Sequence, residues 1–366
     1  MKILLKLIVL VVWIALILEV MLRLMVYTGH LPERVPADIF APHPIGWFLE
    51  PGQDVTIASQ NGVIRIQTNS AGFRDQEYPL SRNNKRRLLI LGDSYTLALE
   101  TPQGNVFHVQ LEKLFGGNTE VISMGVSGYE LVQDMLVYQK IGAAYHPDLV
   151  ILMLYIGNDL TGNQHWKHLP YYALQNNELV LHNYPYTGEF NLPLVTTQRS
   201  TFLMRHSMLA FTLGTIFRRQ PHAESDDLGY CDYWTSVNYP NPTVEEWELS
   251  EALLMALRDE VEANGSQFLV VIIPTEFQVE ADDLNEFLKT CTIPDYALEQ
   301  TLQEQLIARL ETQRIPYLDL LPVFLQNRNA RLYLPDVDIH WSAEGHRVAA
   351  GAIYRMSGEK QGKTVK

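Results

Sequence analysis

A chain of 366 residues that is 47% hydrophobic can bury a large core, and a formal net charge of −14 excludes a nucleic-acid binder, whose partner would require a basic surface. The two cysteines, Cys231 and Cys291, lack the paired spacing of a zinc or redox motif and exclude a disulfide-dense scaffold. One bridge and two separate buried thiols both remain open. The composition fits one large domain with insertions, or one domain and a small accessory region, and the acidic charge leaves small neutral or apolar substrates open.

Residues Ile3 to Tyr27 are apolar apart from Lys6, Glu19 and Arg23. At about 1.5 Å per residue, a helix of that length reaches across a hydrocarbon core of roughly 30 Å. Lys6 can snorkel at one interface, while Glu19 and Arg23, one turn apart, can pair at the other. The run Leu7 to Leu18 suits a signal peptide, but no small-x-small cleavage pattern follows, which favours an uncleaved anchor over residues 1–27. Lys2 and Lys6 precede the span, so the positive-inside rule puts the remaining chain in the periplasm or outside the cell; Arg23 and Arg34 oppose this more weakly.

Residues 28–86 read as a linker and a small β appendage. Val55 to Ala58 and Val63 to Gln67 flank Asn61-Gly62, a strong hairpin signal because both residues tolerate positive φ. Arg82 to Arg87 reads as a solvated, basic lead into the first core strand.

From there strand and helix patterns alternate. Leu88 to Leu91 is a strand, Asn105 to Phe115 a helix closed by Gly116-Gly117-Asn118, and Glu120 to Ser123 a strand. A helix over Glu130 to Ala144 and the wholly apolar strand Leu149 to Tyr155 follow. After an insertion over about 161–242 come a helix from Thr243 to Asn264, a strand Phe268 to Ile273, a helix from Asp295 to Thr312 and a strand Ile315 to Leu320. This rhythm predicts an α/β fold, a doubly wound flavodoxin-like parallel sheet of about five strands. The insertion holds a β-like run Glu178 to His182 and a helix candidate around Phe202 to Phe217. Its Met204, Met208, Phe211 and Phe217 read as a lipophilic substrate wall or as plain core.

Three loops end on the carboxyl edge of that sheet. Gly92-Asp93-Ser94 sets a serine between strand and helix, where the free N–H groups of the helix can meet a developing oxyanion. Ser127-Gly128 and Gly157-Asn158-Asp159 add glycine-permitted N–H groups and an asparagine amide. Near the C-terminus, Asp336-Val337-Asp338-Ile339-His340-Trp341 offers a histidine as general base and an aspartate to orient it, Asp338 or Asp336. Ser342 reads as the N-cap of the last helix, and His346, inside that helix, as structural.

Jointly, these four blocks resemble the SGNH hydrolase family, also called GDSL-type esterases and lipases, from about Arg87 onward apart from the insertion. Asn69-Ser70-Ala71-Gly72-Phe73-Arg74-Asp75 is similar to the segment that precedes the core in membrane-anchored bacterial members. The resemblance implies an SGNH hydrolase fold over residues 87–366 and a serine ester hydrolase, for example a glycan deacetylase or lipid esterase. Ser94 would be nucleophile, His340 base and Asp338 its partner; Ser94 N–H, Gly128 N–H and Asn158 would be the oxyanion donors, with no metal or cofactor. The Asp-x-His-Trp spacing departs from the commoner Asp-x-x-His form and resembles a subset that includes polysaccharide O-acetyltransferases. The second block lacks the asparagine often found where Ser123 or Met124 stands. An O-acetyltransferase using the same triad, and a non-catalytic glycan- or lipid-binding module, are the alternatives.

Overall fold

A computed structural model describes residues 2–27, 39–59, 62–82, 84–161, 169–187, 209, 227–296, 301–334 and 339–359. Asp336 and Asp338 lie outside these residues, as do Met204, Met208, Phe211 and Phe217 of the insertion. Lys2–Tyr27 is one helix of 26 residues, which leaves Val9, Leu10, Val12, Trp13, Ile14 and Leu16 among its exposed side chains. Counted over the described residues, no helix is long and apolar enough to cross a membrane. Glu19 and Arg23 do pair on it, at 2.8 Å.

Two antiparallel hairpins follow, β1 (Phe40–His43) with β2 (Gly46–Leu49) and β3 (Asp54–Ser59) with β4 (Gly62–Gln67). A lone hairpin is marginal in water, and these are not alone. Trp47, Phe48, Leu49, Ile64, Ile66 and Phe73 are buried in the same cluster as one face of the central sheet. The segment expected to be an appendage therefore supplies core.

The central sheet takes β5 (Arg86–Leu91), β6 (Thr119–Ser123) and β7 (Leu149–Tyr155). Beyond the hairpin β8 (Tyr171–Gln175) and β9 (Glu178–His182) it gains β10 (Gln267–Ile273) and β11 (Tyr317–Asp319). All pairs are parallel, in the order β11-β10-β7-β5-β6. Counted along the chain this is the 2-1-3-4-5 order, whose topological switch point lies between β5 and β7. Period-two alternation buries Leu89, Leu91, Val150 and Leu152 on one face and Leu88, Ile90, Ile151 and Met153 on the other. Helices Leu131–Lys140, Val244–Ala263 and Leu302–Thr312 cover the first face; Phe107–Phe115 and Ala343–Glu359 cover the second.

Local chemistry explains where the boundaries fall. The helix expected from Asp295 begins at Leu302 because Thr301 and Glu304 form a capping box, as do Thr243 and Glu246 ahead of Val244; such a cap is worth about 1 kcal/mol. The last sheet strand is shorter than expected, since it pairs with β10 over Val270–Ile272 alone. β8 escaped the sequence reading, although Asn176 and Asn177, both at positive φ, form its turn with β9. Arg87 is not solvated. It is fully buried, paired with Glu120 at 2.8 Å and donating to the carbonyls of Pro79, Leu80, Ser81 and Tyr145, so every part of the guanidinium fork is satisfied. Of the two readings for the cysteines the structure takes the bridge: Cys231 and Cys291 are joined with a Cα–Cα distance of 5.6 Å.

Candidate active site

β5 ends at Leu91, and Gly92 turns the chain with φ +147°, where a Cβ would sit 3.0 Å from Met153 Cβ and its carbonyl oxygen. Asp93 then caps the short helix Ser94–Leu97, its Oδ1 accepting the Tyr95 N–H at 2.9 Å. This mounts Ser94, half-buried, at the switch point. The far end of the helix is held by Arg74, which donates to the carbonyls of Leu97, Ala98 and Thr101. Burial lowers the Arg74 pKa only to about 10, so the guanidinium stays charged beside those carbonyls.

The Asp93 carboxyl is raised by burial, opposed by the Tyr95 N–H and by the charge of His340. Asp134 and Asp159, buried around the same turn, are raised well above the usual carboxylate range by burial and then by the charge of Asp93. The Asn158 Nδ2 donates to Asp93 Oδ2 at 3.3 Å, so the asparagine at the end of β7 is tied to the residue before Ser94.

His340 Nε2 lies 2.7 Å from Ser94 Oγ. The histidine is delivered by a braced loop: Tyr333 and Trp341 form an antiparallel bridge, Leu334 N–H donates to the His340 carbonyl at 2.8 Å, and Ser342 N–H to that of Leu332 at 2.8 Å. Trp341 is a buried plug, its ring 5.2 Å from Tyr95 and 5.4 Å from Phe324. The Tyr95 hydroxyl donates to the Ile339 carbonyl at 2.5 Å. Ser342 Oγ accepts the N–H groups of Glu344 and Gly345 at 3.2 Å each, the expected N-cap. His346, expected to be structural, is buried and lies parallel to Phe107.

The Ser127-Gly128 loop is joined to the nucleophile turn by Val126 N–H donating to the Gly92 carbonyl at 3.0 Å. Gly128 has φ +73°, which a side chain would strain. Among the described residues, neither Ser94 N–H nor Gly128 N–H has a hydrogen-bond acceptor. Two unspent N–H groups, an asparagine amide and a serine–histidine pair thus share one edge of the sheet, an arrangement able to carry acyl transfer. Asp338 lies outside the described residues. Sequence reading missed Tyr95, Trp341 and Arg74 as the supports of this site; the signals were an aromatic residue directly after Ser94 and after His340, and for Arg74 its place in the Asn69 to Asp75 segment.

A 2-1-3-4-5 parallel sheet whose serine and histidine meet at the switch point defines a doubly wound α/β fold with a candidate acyl-transfer site at its carboxyl edge. Residues 233–364 match the family model described as SGNH hydrolase-like domain, acetyltransferase AlgX; this stretch holds His340 and the last two sheet strands. Among solved structures, a GDSL-like lipase from Bacteroides thetaiotaomicron is 13% identical, with 77% of this chain and 93% of that chain covered and a TM-score of 0.37. A catalytic mutant of an acetylxylan esterase from Geobacillus stearothermophilus is 15% identical, with 75% and 94% covered and a TM-score of 0.39. No curated protein matches the chain.

Proposed function

We propose that the protein is a serine ester hydrolase held to a membrane by its N-terminal helix, with its α/β domain in the periplasm or outside the cell. The observation that carries the reading is the 2.7 Å contact of His340 Nε2 with Ser94 Oγ at the sheet's switch point. Ser94 Oγ attacks an ester carbonyl carbon and its proton passes to His340 Nε2, while the N–H groups of Ser94 and Gly128 and the Asn158 amide hold the oxyanion. Collapse expels the alcohol, which takes the proton from His340. Water, deprotonated by His340, then releases the acid and frees Ser94. Asp338 is the proposed partner that orients His340.

What speaks for the anchor is the apolar run Ile3 to Tyr27 in the sequence and the exposed apolar side chains of its helix, Trp13, Ile14 and Leu16 among them. A second reading, transfer of an acetyl group from a donor to a glycan hydroxyl by the same groups, is favoured by the description of the family model matched by residues 233–364.

The test is hydrolysis of p-nitrophenyl acetate and butyrate by the full chain in detergent, beside Ser94→Ala and His340→Ala. Losses of about a thousandfold or more are expected in both variants. An undiminished rate in Ser94→Ala would end the serine mechanism. An acetylated glycan formed from an acetyl donor, in place of free acetate, would move the transferase reading to first place.

A further inference from the structure

Trp47 lies in β2, 80 residues before the Ser127-Gly128 loop in sequence, yet its indole N–H donates to the Ser127 carbonyl at 2.9 Å. Trp47 is almost wholly buried, and a buried indole N–H requires an acceptor. Two further bonds close the same contact: the Tyr129 hydroxyl donates to the Trp47 carbonyl at 2.6 Å and accepts the Trp47 N–H at 3.2 Å. Gly128, at φ +73°, lets the chain turn so that Tyr129 comes back under the loop to reach Trp47.

The Ser127 carbonyl and the Gly128 N–H belong to one peptide unit. A trans peptide is planar with C=O and N–H pointing to opposite sides, so a bond that pins the carbonyl also aims the N–H. The pinned carbonyl faces the hairpin; the N–H it aims away has no acceptor among the described residues.

We infer that Trp47 is a positioning residue for the oxyanion hole, setting the direction of the Gly128 N–H through the Ser127 carbonyl. The inference rests on the reading of Gly128 N–H as an oxyanion donor. It gives the N-terminal hairpin a part in the chemistry: without its indole N–H the loop keeps its fold but loses the fixed aim of one donor. Donors act on a transition state only when preorganised, so the effect falls on kcat and not on ground-state binding.

The experiment compares the full wild-type chain, Trp47→Phe, a chain carrying the isosteric benzothienylalanine at position 47, and Ser94→Ala. Each is treated with a fluorophosphonate. Ser94 Oγ bonds to phosphorus, fluoride leaves, the serine proton goes to His340, and the phosphonyl oxygen needs the same donors as an ester oxyanion. The expected result is a labelling rate constant reduced about tenfold to a hundredfold in both position-47 chains. The melting temperature should stay near that of the wild type, and p-nitrophenyl acetate should show the same fall in kcat at unchanged KM. Wild-type labelling by the benzothienylalanine chain would overturn the inference alone, provided Ser94→Ala is unlabelled. A reduced rate accompanied by a lowered melting temperature and a raised KM in that chain would assign Trp47 to packing and overturn it too. Undiminished labelling of Ser94→Ala, or none of the wild type, would remove the serine reading and the inference together.

Discussion

The hydroxyl of Tyr95, the residue after the candidate nucleophile, donates to the carbonyl of Ile339, the residue before the candidate base, at 2.5 Å. Two segments 244 residues apart are thus locked together beside the Ser94–His340 contact, and the Tyr95 ring lies 5.1 Å from the imidazole. Tyr95→Phe keeps the ring and removes the lock. The Ile339 carbonyl is part-buried, so leaving it unpaired costs on the order of 1 kcal/mol, and the freed loop holds His340 less firmly. The expected outcome is a several-fold fall in kcat on p-nitrophenyl acetate with little change in KM. Unchanged kcat would mean that Trp341 and the backbone bonds of Leu334 and Ser342 place the loop without the Tyr95 hydroxyl.

Gly157 precedes the asparagine that reaches Asp93. A Cβ there would run into the Tyr155 ring and the Val237 carbonyl, and neither can withdraw: Tyr155 is buried and its hydroxyl donates to that same carbonyl at 2.9 Å. Gly157→Ala is therefore expected to destabilise the fold by about 1–3 kcal/mol and to displace Asn158, lowering esterase activity more than tenfold. Urea unfolding and the ester assay on the same preparation check both halves.

The buried histidines set an acid limit. His108 and His346 are both pushed down to about 3, chiefly by burial. In the unfolded chain they titrate near 6.5, so below that pH the unfolded state binds protons that the fold refuses. Their contribution is complete above pH 6.5 and is lost as pH falls toward 3, at about 1.4 kcal/mol per pH unit for each. Asp75, pushed up to about 8 by burial, acts in the opposite sense: it keeps its proton in the fold, and its contribution is lost as pH rises from about 4 through 8. Urea unfolding of His346→Gln between about pH 6 and pH 4.5 should show a dependence on pH shallower than wild type by about 1.4 kcal/mol per unit. Equal slopes would mean that His346 takes its proton in the folded state.

The Cys231–Cys291 bridge closes a separation of 60 residues, which on chain-entropy grounds contributes about 4 kcal/mol, and commonly 2–4 in practice. It sits in the cluster of Trp234, Phe277 and Phe287, against which Val237 and Ile339 pack, the latter beside His340. Replacing both cysteines by serine should lower the melting temperature by several degrees and reduce ester hydrolysis by a few fold at 25 °C. Melts and assays with and without reductant give the same comparison on the unaltered chain; identical values in both conditions would deny the bridge any part in stability.

Much of this protein is readable along the chain. The five sheet strands, their parallel order and the three loops on their carboxyl edge follow from hydrophobic periodicity and glycine placement, because both are local properties of backbone geometry. Ser94 and His340 could be picked out as candidates because each follows a glycine or aspartate turn next to a strand or helix, and the structure brings their side chains within 2.7 Å; the roles of Gly128 and Asn158 remain proposals. Only the tertiary structure could decide that Arg87 is buried in a cage of carbonyls, that Cys231 meets Cys291, or that the N-terminal hairpin belongs to the core. Only it could bring Tyr95 to Ile339 and Trp47 to Ser127. The last two are single polar contacts between residues 244 and 80 positions apart, and they leave no periodic trace, since a lone donor finds its acceptor by packing and not by pattern.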